Sequence, residues 1–209
     1  MSAAPPPERL SRRLFVKIVE NPAVFYYMRT HFYWGTMRRL RRTLALQPGE
    51  SLLDVGCGAG MGAGLTRGRY VGVDTEMIYL RFSRRRLQAW PTHTFMKMSA
   101  LDLGFCDRAF DKAMMLNVVH HLDDEMADRF LGKLARVVRQ KVYVLDHDID
   151  RDNPVSGFLV RQDRGEHMRG FAALSHVLSQ HYTVENVERF FNWEHTVSCA
   201  LFTLVPRRS

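Results

Sequence analysis

The 209-residue chain is 46% hydrophobic and 25% charged, the balance of a soluble globular domain with room for one sizeable core, which excludes a wholly disordered or fibrous chain. Its longest apolar runs, such as Ala113 to Val119, are too short to span a bilayer and no secretory leader is visible, so a cytoplasmic location without stable membrane insertion is expected. Lys+Arg total 30 against 22 Asp+Glu, a formal charge of +8 that favours an anionic partner, although paired arginines more often sit on solvated helix faces.

Met1 to Pro7, with three successive prolines, reads as a short disordered tail. Leu10 to Leu46 predicts two or three helices rich in aromatics, and Pro48-Gly49 then breaks the chain, giving an N-terminal helical cap over 1–50 ahead of one domain over 51–209. Strands are predicted at 51–55, 70–73, 94–98, 111–116 and 141–146. Helical patterns fill the gaps at Glu76 to Ala89 and Asp124 to Arg139; the second sets Met126, Phe130, Leu131, Leu134, Val137 and Val138 on one face. This alternation predicts an α/β fold with a mostly parallel sheet and helices on both faces. Tyr182 to Phe191 and Val197 to Val205 read as an antiparallel C-terminal hairpin, turning around Asn192 to His195. Cys57, Cys106 and Cys199 are widely spaced and form no CxxC pair, which points to a reducing compartment.

The chemistry is concentrated in Leu52-Leu53-Asp54-Val55-Gly56-Cys57-Gly58-Ala59-Gly60, where an apolar strand meets an acid and then glycine at every second position. Glycines there permit a sharp turn and close approach of a ligand. A carboxylate at the edge of that turn repels a pyrophosphate and suits a cation, so Asp54 argues for a ligand carrying a sulfonium and an α-ammonium. Asp74 ends the second strand, where an acid accepts hydrogen bonds from ribose hydroxyls. Gly58 to Ala63 also fits a GxGxxA frame, which keeps a nicotinamide-dependent oxidoreductase as an alternative, against which stand Asp54 and the lack of a Tyr-x-x-x-Lys pair.

Asp54 to Gly60 with Val71-Gly72-Val73-Asp74, continued by Ala100 to Phe105, Phe110-Asp111 and Asn117-Val118-Val119-His120-His121-Leu122-Asp123, resembles the class I S-adenosylmethionine-dependent methyltransferases, in their small-molecule branch. The resemblance implies a Rossmann-like seven-stranded sheet and S-adenosyl-L-methionine as cofactor. It implies that Asp54, Gly56, Cys57, Gly58 and Gly60 pack against its methionine part and that Asp74, with Thr75, holds the ribose. Ser99 and Ala100 fall at the adenine and Asn117 at the amino-acid moiety. Ser99 departs from the family's usual acid, leaving the adenine contact to a hydroxyl or to nearby Asp102, which otherwise reads as a surface loop residue.

Methyl transfer asks the protein mainly to hold the acceptor in line and exclude water. A hydroxyl acceptor also needs a base, and the candidates are His120, after the fourth strand, and His147 and Asp148, after the fifth. His121 is expected to pack against the next helix. The acids from Asp146 to Asp150 admit a Mg²⁺ reading, but a solvated, helix-capping loop is preferred and no metal is expected. Tyr26, Tyr27 and Arg29 from the cap, and Arg161 from the segment after the fifth strand, are expected to cover the acceptor. The expected function is methyl transfer to a small organic acceptor, at oxygen, by a monomer or homodimer. The alternatives are an RNA methyltransferase, though no nucleic acid is expected, and a non-catalytic cofactor-binding partner. Thr36 to Leu46 also admits peripheral contact with anionic lipid.

Overall fold

The computed structural model describes residues 21–151, 167–192 and 197–207. Its seven-stranded sheet has the order β3-β2-β1-β4-β5-β7-β6. The strands are β1 (Leu52–Val55), β2 (Tyr70–Asp74), β3 (His93–Lys97), β4 (Phe110–Leu116), β5 (Val138–His147), β6 (Tyr182–Asn192) and β7 (Val197–Pro206). β1 to β5 run parallel, and β7 inserts antiparallel between β5 and β6. The expected sheet and hairpin are therefore present.

Among the described residues, two helices precede the sheet. Asn21 opens α1 (Pro22–Phe32) by accepting from the amides of Ala23 and Val24, with Pro22 at the first turn where a missing N–H costs nothing. Tyr33 then bends the chain without breaking it: its N–H donates to the Arg29 carbonyl, and Met37 donates to the Tyr33 carbonyl. α2 (Trp34–Leu44) ends at Ala45 in left-handed backbone, φ 41°. Its last carbonyls are held by a buried lysine, Lys112 of β4, whose Nζ lies 2.9 Å from the Leu44 oxygen and 2.8 Å from Glu50. This partly neutralises the negative end of the helix.

The sheet has an apolar layer on each face. Leu40, Leu44, Leu52, Tyr70, Leu80 and Tyr143 join α1, α2 and α3 (Met77–Arg86) on one side. Leu53, Val73, Phe130, Leu134 and Phe202 join α4 (Asp124–Val137) and α5 (Phe171–Ser179) on the other. α4 starts as expected, on the Asp123 side chain accepting from the Met126 amide.

Three features differ from the expectation. The crossover from β1 to β2 contains only a five-residue 3-10 turn, Met61–Leu65, instead of a full helix. α4 stops at Val137, because Val138 takes extended backbone and begins β5 at once. α5 has no counterpart among the predicted elements: its buried residues Leu174 and Leu178 are one turn apart in nine residues, too short a stretch for a periodic signal.

Candidate active site

A cavity of about 440 Å³ opens where β1, β2 and β4 end. Such a volume holds a ligand of nucleoside size or somewhat more. Asp54, Gly56, Cys57 and Gly58 line it from the first turn, Asp74 and Thr75 from the second, Ser99 and Ala100 from the third, and Asn117 from the fourth. Gly60 does not line it. Its φ of 74° shapes the turn, and a Cβ there would lie 2.9 Å from Ser83 Oγ, so this glycine serves packing against α3.

The turn has already used four of its donors. The amides of Gly56 and Cys57 both donate to the Val73 carbonyl, Gly58 donates to Asp74 Oδ2 at 2.7 Å, and Gly60 donates to the Cys57 carbonyl. A pyrophosphate site needs such amides open and a helix N-terminus behind them. Here they are closed, and the next element is a single 3-10 turn.

The cavity wall carries charge of both signs. The Asp54 carboxylate is buried and accepts from the Tyr70 hydroxyl at 2.5 Å. Burial lifts its pKa from 3.8 to about 7, opposed by the Tyr70 hydrogen bond and the Arg29 charge and assisted by Asp74. Burial also raises Asp74, against the donation of the Glu76 and Gly58 amides. Between pH of about 4 and about 7 the folded chain therefore keeps a proton on Asp54 that the unfolded chain has released, and stability falls as pH rises across that window. Asp54→Asn should remove this part of the fall. Thermal melts across the window check it, and an unchanged slope in the variant would place the titration elsewhere.

Asn117 sits in left-handed backbone, φ 57°. Its amide nitrogen donates to the Tyr33 hydroxyl at 2.5 Å, while its buried Oδ1 has no hydrogen-bond partner among the described residues. A buried acceptor without a donor is costly and marks the place where a ligand N–H fits.

α1 closes the cavity with Phe25 and Arg29, and Phe25 stacks on Tyr79 at 4.8 Å. The Arg29 guanidinium lies 5.2 Å from the Phe25 ring and 5.0 Å from the Tyr33 ring. Of the predicted acceptor residues, Arg29 is thus at the cavity. Tyr26 is not; it packs beside Phe82 under Arg86. Tyr27 is 67% exposed on the outer side of the helix. The reason is helical period: positions 25, 29 and 33 share one face, and 26 and 27 turn away from it. Arg161 lies outside the described residues.

His120, His147 and Asp148 do not reach the cavity. His120 is 3% exposed and its Nδ1 lies 2.5 Å from Asp146. Burial alone would raise the Asp146 pKa, but hydrogen bonding to His120 and the charges of His120 and His147 bring it below the ordinary value. β5 continues to His147, paired with Cys199 of β7, so the start of the expected loop is strand, and a 3-10 turn follows at Ile149–Arg151. Asp148 is fully buried and takes two hydrogen bonds from Arg189, at 2.7 and 3.0 Å. Asp150 accepts from the Phe171 amide and starts α5. The acidic run is therefore divided among structural partners and is largely buried, unlike the solvated loop expected, and the turn at Asn153-Pro154 that it was expected to cap lies outside the described residues.

His121, expected to pack away, lines the cavity beside Val118 and Leu122. The two rings stay 4.3 Å apart across the short turn Val119–His121, but His120 is held by Asp146 and only His121 is on the cavity lining. Arg169 holds this turn, donating to the Val119 carbonyl at 3.1 Å and to the Leu122 carbonyl at 2.8 Å. Asp102 is on the surface near Lys133, away from the cavity, which leaves the Ser99 to Leu101 segment as the third wall. Phe25, Tyr79 and His121 were missed by sequence reasoning; for Phe25 the signal was its four-residue spacing from Arg29.

Residues 53–145 match a family model described as a methyltransferase domain. The chain is 32% identical over 115 residues to an O-methyltransferase of Penicillium expansum, covering 51% of this chain and 40% of that protein. It is 31% identical over 118 residues to a demethylmenaquinone methyltransferase of Symbiobacterium thermophilum, covering 52% and 47%. The chain thus spans less than half the length of these curated relatives. The N-methyltransferase NodS of Bradyrhizobium japonicum, solved with S-adenosyl-L-homocysteine, superposes with a TM-score of 0.69 at 15% identity over 85% of this chain and 88% of its own. With that sheet order, the glycine turn and the sequence model matched over 53–145, the chain is similar to the S-adenosylmethionine-dependent methyltransferases.

Proposed function

We propose that the protein binds S-adenosyl-L-methionine in this cavity and transfers its methyl group to the oxygen of a small organic acceptor. The observation that carries the reading is a glycine turn whose Gly56, Cys57, Gly58 and Gly60 amides are spent, faced by Asp54, Asp74 and Asn117, whose Oδ1 is unpartnered among the described residues. Such a wall rejects a pyrophosphate and receives a cationic nucleoside. Asn117 Oδ1 and Asp54 would receive the α-ammonium, Arg29 the carboxylate, Asp74 the ribose hydroxyls, and the Ser99 to Leu101 segment the adenine. When bound, the cofactor supplies an electrophilic methyl on a sulfonium.

The chain's own part is to orient the acceptor and to take a proton from it. Leu116, Val118 and Leu122 offer an apolar seat on the β4 side, with His121 beside it as the imidazole able to accept a hydroxyl proton. Of the two curated relatives, the one named an O-methyltransferase supports transfer to oxygen, and the one named a demethylmenaquinone methyltransferase supports a small organic acceptor.

Calorimetry with S-adenosyl-L-methionine and with NAD tests the cofactor: heat with the first alone is expected, and heat with NAD alone would overturn the reading. His121→Ala should lower turnover of a hydroxyl acceptor by roughly a hundredfold with cofactor affinity unchanged. Isotopic methyl transfer to a panel of phenols, quinols and amines measures it, and full activity in the variant would remove His121 as the base.

A further inference from the structure

We propose that the outer face of α1–α2 docks on an anionic lipid bilayer. Because the helix bends at Tyr33 without interruption, Val24, Tyr27, His31, Trp34, Arg38 and Arg42, spaced three or four apart, fall on one stripe, and each of them is exposed. Trp34 is 61% and Val24 39% exposed, unusual for an indole and a valine with no role in a core. Residues 21–49 contain five arginines and no Asp or Glu. Arg39 and Arg41 brace the helix on the body of the protein, through Glu188 and the Gly64 carbonyl. Arg38 instead lies over Trp34, its guanidinium 4.8 Å from the ring.

Aromatic rings interleaved with arginine match the headgroup layer of a membrane, where the ring is buried at the acyl boundary and the cation meets phosphate. α3, packed beside α1 through Phe25 on Tyr79, extends the same basic region with exposed Ile78, Arg81 and Arg85. A nucleic-acid backbone satisfies the arginines but gives Val24 and Ile78 nothing to bury against, so the bilayer fits the whole set. No described helix is long and apolar enough to cross a membrane, so the contact is peripheral. The surface stands independently of the cofactor reading, but the opposite side of the same helix carries Phe25 and Arg29. Docking would therefore bring the cavity close to a lipophilic acceptor.

Flotation of the full chain with vesicles of phosphatidylcholine, alone or mixed with phosphatidylglycerol, tests the proposal. Retention on the mixed vesicles only, weakening as salt rises, is expected. Arg38→Glu with Arg42→Glu should reduce that retention by roughly thirtyfold or more. Trp34→Ser should reduce it about tenfold and abolish the blue shift of indole emission on binding. Both variants should keep the wild-type melting temperature and the calorimetric response to S-adenosyl-L-methionine, which separates failure of this surface from failure of the cavity. Absence of retention, equal retention on both vesicles, retention untouched by the variants, or capture by single-stranded RNA in place of vesicles would each overturn it.

Discussion

Asp74→Ala should weaken S-adenosyl-L-methionine binding by about a hundredfold or more while the chain still folds. Each carboxylate oxygen already accepts one amide, Oδ2 from Gly58 at 2.7 Å and Oδ1 from Glu76 at 2.8 Å, and each keeps a second lone-pair site for a ribose hydroxyl. Hydrogen bonds to a charged acceptor contribute about 1.5–3 kcal/mol apiece, so losing two on a partly desolvated wall exceeds about 3 kcal/mol. The variant also frees the Gly58 amide, which loosens the glycine turn that the cofactor touches. Asp74→Asn, which keeps an acceptor for one hydroxyl, should fall between alanine and wild type. Calorimetry with S-adenosyl-L-homocysteine measures all three, and equal affinity across the series would remove Asp74 from the ribose.

Gly56→Ala is expected to damage both the cavity and the fold. Its φ of 71° lies in the left-handed region, and a Cβ would come 2.5 Å from Val118 Cγ2. Valine is branched at Cβ and stiff about χ1, so relieving that contact means rotating the side chain or shifting the turn after β4. The backbone penalty and the forced repacking together amount to about 2–4 kcal/mol. In a chain of this size that corresponds to a fall in melting temperature of roughly 5–15 °C. Cofactor affinity should fall as well, since Val118 lines the cavity. A variant that melts within a degree of wild type would show that the turn relaxes freely.

The parallel strands and the walls they present were legible because their signals are local. An apolar run ending in Asp54 or Asp74, with glycine beside it, carries its own meaning whatever lies elsewhere in the chain. The acceptor side was less legible because it depends on which way a short turn faces. His120 and His121 are adjacent and chemically identical, and only the pairing of Asp146 with His120 decides that the second one meets the cavity. The fate of His147 and Asp148 likewise depended on β7, a strand some fifty residues away in sequence, extending β5 past its expected end. Tyr26 and Tyr27 went astray for a different reason. An aromatic cluster shows that a helix packs on something, but the phase of the helix selects Phe25 and Arg29 as the ones that look inward.

The clamp of Lys112 on the end of α2 constrains how acceptor preference can change. A side chain from the middle of the sheet holds the Leu44 and Ala45 carbonyls, while Arg39 reaches across to Glu188 on the last-but-one strand. The leading helices are therefore wedded to the body of the protein and cannot be exchanged as a cassette with those of a homologue. New specificity is reached more readily by point changes at positions 116, 121 and 122, leaving the scaffold that carries them intact.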